Sequence, residues 1–170
     1  MHSRLEIGVL LLALAGCGDP VHDRAVNALG PEKPGVPPGP DHRPGQPCLT
    51  CHGGEGPSSF VMSFGGTVYT YLGADTTAGG AVVHVVDDQM RTFETPTNCA
   101  GNFWIPARRF QPVFPVQVAI QWGSATAVMR TEMRLDGSCN FCHVQPESGA
   151  SPGQVWMLAD GVTAPEVTCQ

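Results

Sequence analysis

A mainly β fold is predicted, a small antiparallel β-sandwich held between two short helical turns. Three observations predict it. Residues 64–134 carry short β-branched and aromatic runs separated by Gly, Asp and Ser turn signals, the pattern of a sandwich or barrel. One run alternates strictly, with Val116, Val118, Ile120 and Trp122 on one face and Gln117, Ala119 and Gln121 on the other. Two pentapeptides, Cys48-Leu49-Thr50-Cys51-His52 and Cys139-Asn140-Phe141-Cys142-His143, bracket the region, each beside residues that start or stop a helix.

The segments follow in chain order. Residues 1–16 read as a signal peptide. Met1-His2-Ser3-Arg4 is a polar start, and Ile7 to Ala15 is an apolar run too short for a permanent membrane span. Leu14-Ala15-Gly16-Cys17 resembles a bacterial lipobox. That resemblance implies a mature chain starting at a lipidated Cys17, anchored because each buried methylene of an acyl chain contributes about 0.8 kcal/mol. Gly18 stands where Asp would signal inner-membrane retention, which favours the outer membrane, on its periplasmic or surface face. An ordinary secretory signal with a chance cysteine is the alternative. Either reading places the chain outside the cytoplasm, where thiols oxidise.

Residues 17–46 read as a tether. Prolines 20, 31, 34, 37, 38, 40 and 44 alternate with glycines 18, 30, 35, 39 and 45, leaving little to bury, so an extended or disordered segment is expected with a weak helix around Asp23 to Leu29. Residues 47–63 form the first pentapeptide segment. Pro47 suits a helix start and Gly53-Gly54 a helix stop. Residues 64–134 form the sandwich, with Gly65-Gly66 as the turn before Thr67–Tyr71. The further strands are Ala81–Val86, Met90–Thr95, Asn102–Ile105, Val116–Trp122 and Ala125–Met133. Six strands over roughly 70 residues make a small core that gains from covalent support. Residues 135–170 hold the second pentapeptide and the C-terminal tail, with Asp136 and Ser138 as helix-start residues.

Charge excludes one class of partner. Nine basic and 15 acidic residues give a net charge of −6, and Lys33 is the lone lysine, so nothing is arranged to hold nucleic acid. No paired-carboxylate, nucleophile–base or phosphate-loop pattern is present, so no enzymatic activity is expected. A weak haem peroxidase or haem sensor is the minor alternative.

Cys-x-x-Cys-His is the attachment pattern of c-type haem. Two intervening residues put both sulfurs on one side of a tight turn, where they meet the two vinyl groups of one porphyrin, and the histidine reaches the iron. Two copies predict two covalent haem c groups, held by Cys48, Cys51 and His52 and by Cys139, Cys142 and His143. The competing reading gives these thiols a single zinc site or a disulfide at each pair, in a non-redox surface binding or adhesion lipoprotein. Seven cysteines then leave Cys99 and Cys169, which are expected to pair, or else to stay as separate thiols.

The sixth iron ligands are open. Met62 lies ten residues after His52 and Met157 fourteen after His143, each in an apolar context that suits a ligand or ordinary core packing equally. His42 and His84 are rivals, with His84 in an apolar strand. Arg108-Arg109 reads as a solvated pair or a partner for haem propionates.

Gly66-Thr67-Val68-Tyr69, Gly80-Ala81-Val82-Val83-His84-Val85, Thr95 and Gly101-Asn102-Phe103-Trp104-Ile105 resemble the carboxypeptidase regulatory-like, or transthyretin-like, sandwich over residues 64–133. That resemblance implies a binding or spacer module without catalytic residues. Cys99 stands where that family usually carries a polar turn residue. Together with the two pentapeptides, the chain resembles a bacterial c-type dihaem lipoprotein. The resemblance implies an electron carrier of the periplasm or cell surface, membrane-bound through its lipid and serving an unidentified redox partner.

Overall fold

The computed structural model describes residues 19–32 and 34–167. The signal peptide, Cys17 and Cys169 lie outside them. Among the described residues three short helices, α1 (Pro20–Ala28), α2 (Leu49–His52) and α3 (Cys139–Cys142), accompany eight strands. The strands are β1 (Met62–Tyr71), β2 (Val82–Val86), β3 (Thr92–Pro96), β4 (Asn102–Pro106), β5 (Gln117–Trp122), β6 (Ala125–Val128), β7 (Gly137–Ser138) and β8 (Val155–Leu158).

They form two sheets, as the mainly β sandwich expectation requires. One has the order β3-β2-β5-β6, antiparallel throughout. The other is built around β1, which pairs antiparallel with β4 and parallel with β7 and then β8. The alternating face of β5 packs inward, and Val116, Val118, Ile120 and Trp122 are all buried. They meet Phe64, Val68, Val83, Val85, Phe103 and Ile105 in one core. Fully burying a side chain of this kind contributes about 1.5–3 kcal/mol.

Three boundaries differ from expectation. Gly65 and Gly66 are inside β1 and buried, not in a turn before it. The last predicted strand stops at Val128, and Met133 returns only as an isolated bridge to Val116. The tail is not a mere flank, because β7 and β8 extend the β1 sheet and Met157 and Leu158 enter the core.

The expected tether is also built into the fold over its described residues. Asp19 caps α1, its Oδ1 accepting from Val21 N at 2.9 Å and His22 N at 3.2 Å. Gly45 N donates to Thr67 Oγ1 at 2.8 Å. Asn102 Nδ2 donates to Pro40 O at 3.2 Å and to His42 O at 2.9 Å. Buried side chains of the sandwich thus supply hydrogen bonds that a Pro/Gly-rich chain cannot make with itself. Among the described residues no helix is long and apolar enough to cross a membrane.

Candidate functional site on the two faces of strand β1

Adjacent residues of a strand point to opposite faces. Gly65 and Gly66 are such neighbours, and each is the floor beneath one cysteine. A methyl group added at Gly65 would meet Cys48 Cβ at 3.2 Å and Sγ at 3.4 Å. At Gly66 it would meet Cys139 Cβ at 2.8 Å, Asn140 Oδ1 at 2.9 Å and a ring carbon of Phe103 at 3.0 Å. The two pentapeptides, far apart in sequence, therefore sit back to back on one strand, and glycine is what permits the approach.

The first pentapeptide makes a single helical turn. Cys48 O accepts from Cys51 N and His52 N, and Gly53 N closes on Leu49 O at 2.8 Å. Gly54 leaves the turn at φ +101, a conformation glycine adopts without steric cost. The second pentapeptide occupies a break in the sheet. β7 pairs with β1 at Phe64 and Gly65, β8 pairs from Val68 onward, and residues 139–154 leave the sheet in between. Asn140 fills the gap, its buried Oδ1 accepting from Thr67 N at 2.9 Å. Ser138 begins α3 without a side-chain cap, and its own N donates to Asp136 Oδ1 at 2.7 Å.

Both pentapeptide histidines are held alike. His52 Nδ1 lies 2.8 Å from Phe60 O, and His143 Nδ1 lies 3.0 Å from Gly153 O. A carbonyl only accepts, so Nδ1 carries the proton and each Nε2 keeps its lone pair for a metal.

Each histidine opens on an apolar recess. The first has about 440 Å³ of open volume including its mouth, with His42, Cys48, Cys51, His52, Met62 and Trp104 on its walls. The second has about 760 Å³ including its mouth, lined by Ile120, Met129, Met133, Cys139, His143 and Trp156 among others. Phe103, buried in the core, borders both. Val128 and Trp156 on the second recess are 66% and 39% exposed, and Leu135 and Phe141 just beyond are 80% and 67% exposed.

The four pentapeptide thiols are free. Burial pushes the Cys48 thiol up to about 11. Burial raises Cys139 further, with the negative charges of Cys48 and Asp136 adding to the effect. Cys142 is exposed. Among the described residues no group of three or more His, Cys, Asp or Glu side chains gathers as a ligand set. Cys99 is disulfide-bonded, and its expected partner Cys169 lies outside the described residues.

The other candidates separate. Met62 lines the first recess. Met157 is 8% exposed within the sandwich core and is not on the wall of the second recess. His84 faces outward from β2, its Nδ1 2.9 Å from Glu94 Oε1, away from both recesses. Arg108 and Arg109 line a third, polar recess that shares Trp104 with the first. Met129 and Met133, on the second recess, were missed. Their place shortly before Cys139 in the chain was the available signal.

Fold and site together define a small β-sandwich carrying two Cys-x-x-Cys-His turns on one central strand. A scan against protein-family models finds no match, and neither curated proteins nor solved structures contain a match.

Proposed function

We propose that this chain is a dihaem electron carrier, with covalent haem at Cys48 and Cys51 and at Cys139 and Cys142. The observation that carries this reading is the repeated unit: two thiols on one turn, a histidine with Nδ1 bonded to a carbonyl, and an apolar recess in front. Haem bound there supplies reversible one-electron exchange. The chain's own residues do the rest. His52 and His143 present Nε2 in fixed orientations. The recess walls exclude water, and the exposed Val128, Trp156, Leu135 and Phe141 gain an apolar cover. At the second site Met129 and Met133 are the sulfur donors within the recess, and they replace Met157 as candidates opposite His143. Strand β1 lies between the two sites, with Cys48 packed over Gly65 and Cys139 over Gly66, so cofactors held there would share one strand.

The sequence features of the leader extend the proposal to an outer-membrane lipoprotein, anchored through Cys17 and passing electrons to a partner protein. Its sandwich serves as a transthyretin-like spacer. The test is to mature the full-length chain in a host with covalent haem-attachment machinery. The expected product gains the mass of two haems, and its haemochrome spectrum survives denaturation. Alanine at Cys48 and Cys51, or at Cys139 and Cys142, removes one haem each. A colourless product with four intact thiols, or with bound zinc, overturns the proposal.

A further inference from the structure

We infer that the first iron is held between two imidazoles, His52 on one side and His42 on the other. This rests on the haem reading above and assigns the sixth ligand of one site. The His42 and His52 rings line the same recess, with centroids 5.8 Å apart and planes at 41°. Metal–nitrogen bonds are about 2 Å long, so one ion bound through Nε2 of two imidazoles holds their centroids about 6 Å apart. The observed 5.8 Å is close to that value. His42 Nδ1 is bonded to Gly39 O, as His52 Nδ1 is to Phe60 O, so both Nε2 atoms are free.

The segment carrying His42 is fastened far more firmly than a spacer needs. Asn102, 6% exposed, donates to the carbonyls of both Pro40 and His42 and accepts from Thr67 Oγ1 at 2.8 Å. Arg43 sits at φ +51, a left-handed conformation that a side-chain-bearing residue keeps only where its surroundings enforce it. Its guanidinium supplies that enforcement, with Nη2 on Gly30 O at 2.8 Å, Nη1 on Gln46 Oε1 at 2.8 Å and Nε 3.4 Å from Glu32 Oε2. Asn102 and Arg43 are positioning residues, and what they position is His42. Among the described residues, the second recess contains His143 as its single imidazole. The two irons are then ligated differently, and two imidazoles give the first a lower potential than an imidazole with a thioether gives the second.

The experiment uses the full-length protein carrying both haems. In His42→Ala, half of the haem turns high-spin and binds carbon monoxide when reduced, and added imidazole restores the original spectrum. In His42→Met the protein stays low-spin, with one midpoint potential raised. Met62→Ala leaves the first haem six-coordinate and low-spin. The inference is overturned if His42→Ala leaves both haems six-coordinate, or if Met62→Ala is the variant that opens the site. Should the variants fail to mature, near-infrared magnetic circular dichroism of the unaltered protein decides. One bis-imidazole haem per chain is expected, and none overturns the inference. A product with no covalent haem sinks the haem reading itself and is seen in the haem count before any variant is made.

Discussion

The two Cys-x-x-Cys-His turns share a sequence pattern and differ in how the fold holds them. The first is laid against the outer face of β1 by a loop, and its ties run through backbone carbonyls and the side chains of Asn102 and Arg43. The second is spliced into the edge of the same sheet, with β7 before it, β8 after it and Asn140 standing in for a missing rung. The second site is thus continuous with the ladder of the sheet, and the first is attached to it from outside. A short motif sets the chemistry, while the way the chain enters and leaves it sets how rigidly that chemistry is coupled to the core.

The largest effect is expected where the two regions meet. Phe103→Ala removes a side chain 2% exposed that borders both recesses, at about 3–5 kcal/mol. Urea denaturation should show a lower midpoint at unchanged slope. In the haem-loaded protein both spectra should change, and a change confined to one haem would refute the shared wall. Next come the paired glycines. Gly66→Ala, which drives a methyl group to 2.8 Å from Cys139 Cβ, is expected to cost about 1–3 kcal/mol. Gly65→Ala meets Cys48 at 3.2 Å and should cost less than half as much, so equal losses would show the sites to be equally tight.

The intervening residues give a smaller contrast. Asn140→Ala leaves the buried Thr67 N–H unpaired, for about 1–3 kcal/mol. Thr50→Ala in the first pentapeptide should stay within about 0.5 kcal/mol. Thiol labelling of haem-free protein, followed by mass spectrometry, is the mildest probe. Cys142 is expected to react first and Cys139 last. With its pKa raised to about 11, Cys48 is about one part in a thousand thiolate at pH 8, so its labelling rate should climb tenfold per pH unit until about pH 11. A Cys48 rate that levels off near pH 9 would contradict its burial.

Much of the sandwich was legible because its signals are local. The alternation of Val116 to Trp122 specified which face is buried, and Gly53-Gly54 marked where the first turn ends. What escaped depends on distant partners. Gly65-Gly66 read as a turn because glycine pairs usually are turns, whereas here the missing side chains make room for two cysteines. β7 is two residues long and exists only because β1 is beside it. Residues 40–46 make only local turn bonds of their own, such as Gln46 N to Arg43 O, and are fastened to the sandwich by Asn102 and Thr67, which no composition rule reveals. Met157 and His84 sit in runs that fit a ligand as well as a core or a surface, and only the fold separates those outcomes.

The burial of Cys139 carries a lesson about timing. Its sulfur is enclosed where β7 and Asn140 dock on β1. Under the proposed haem attachment, a thioether bond there would have to be made on a chain that is still open, so modification would precede closure of that edge. A chain that closed first would be locked out of the product, whatever the supply of porphyrin.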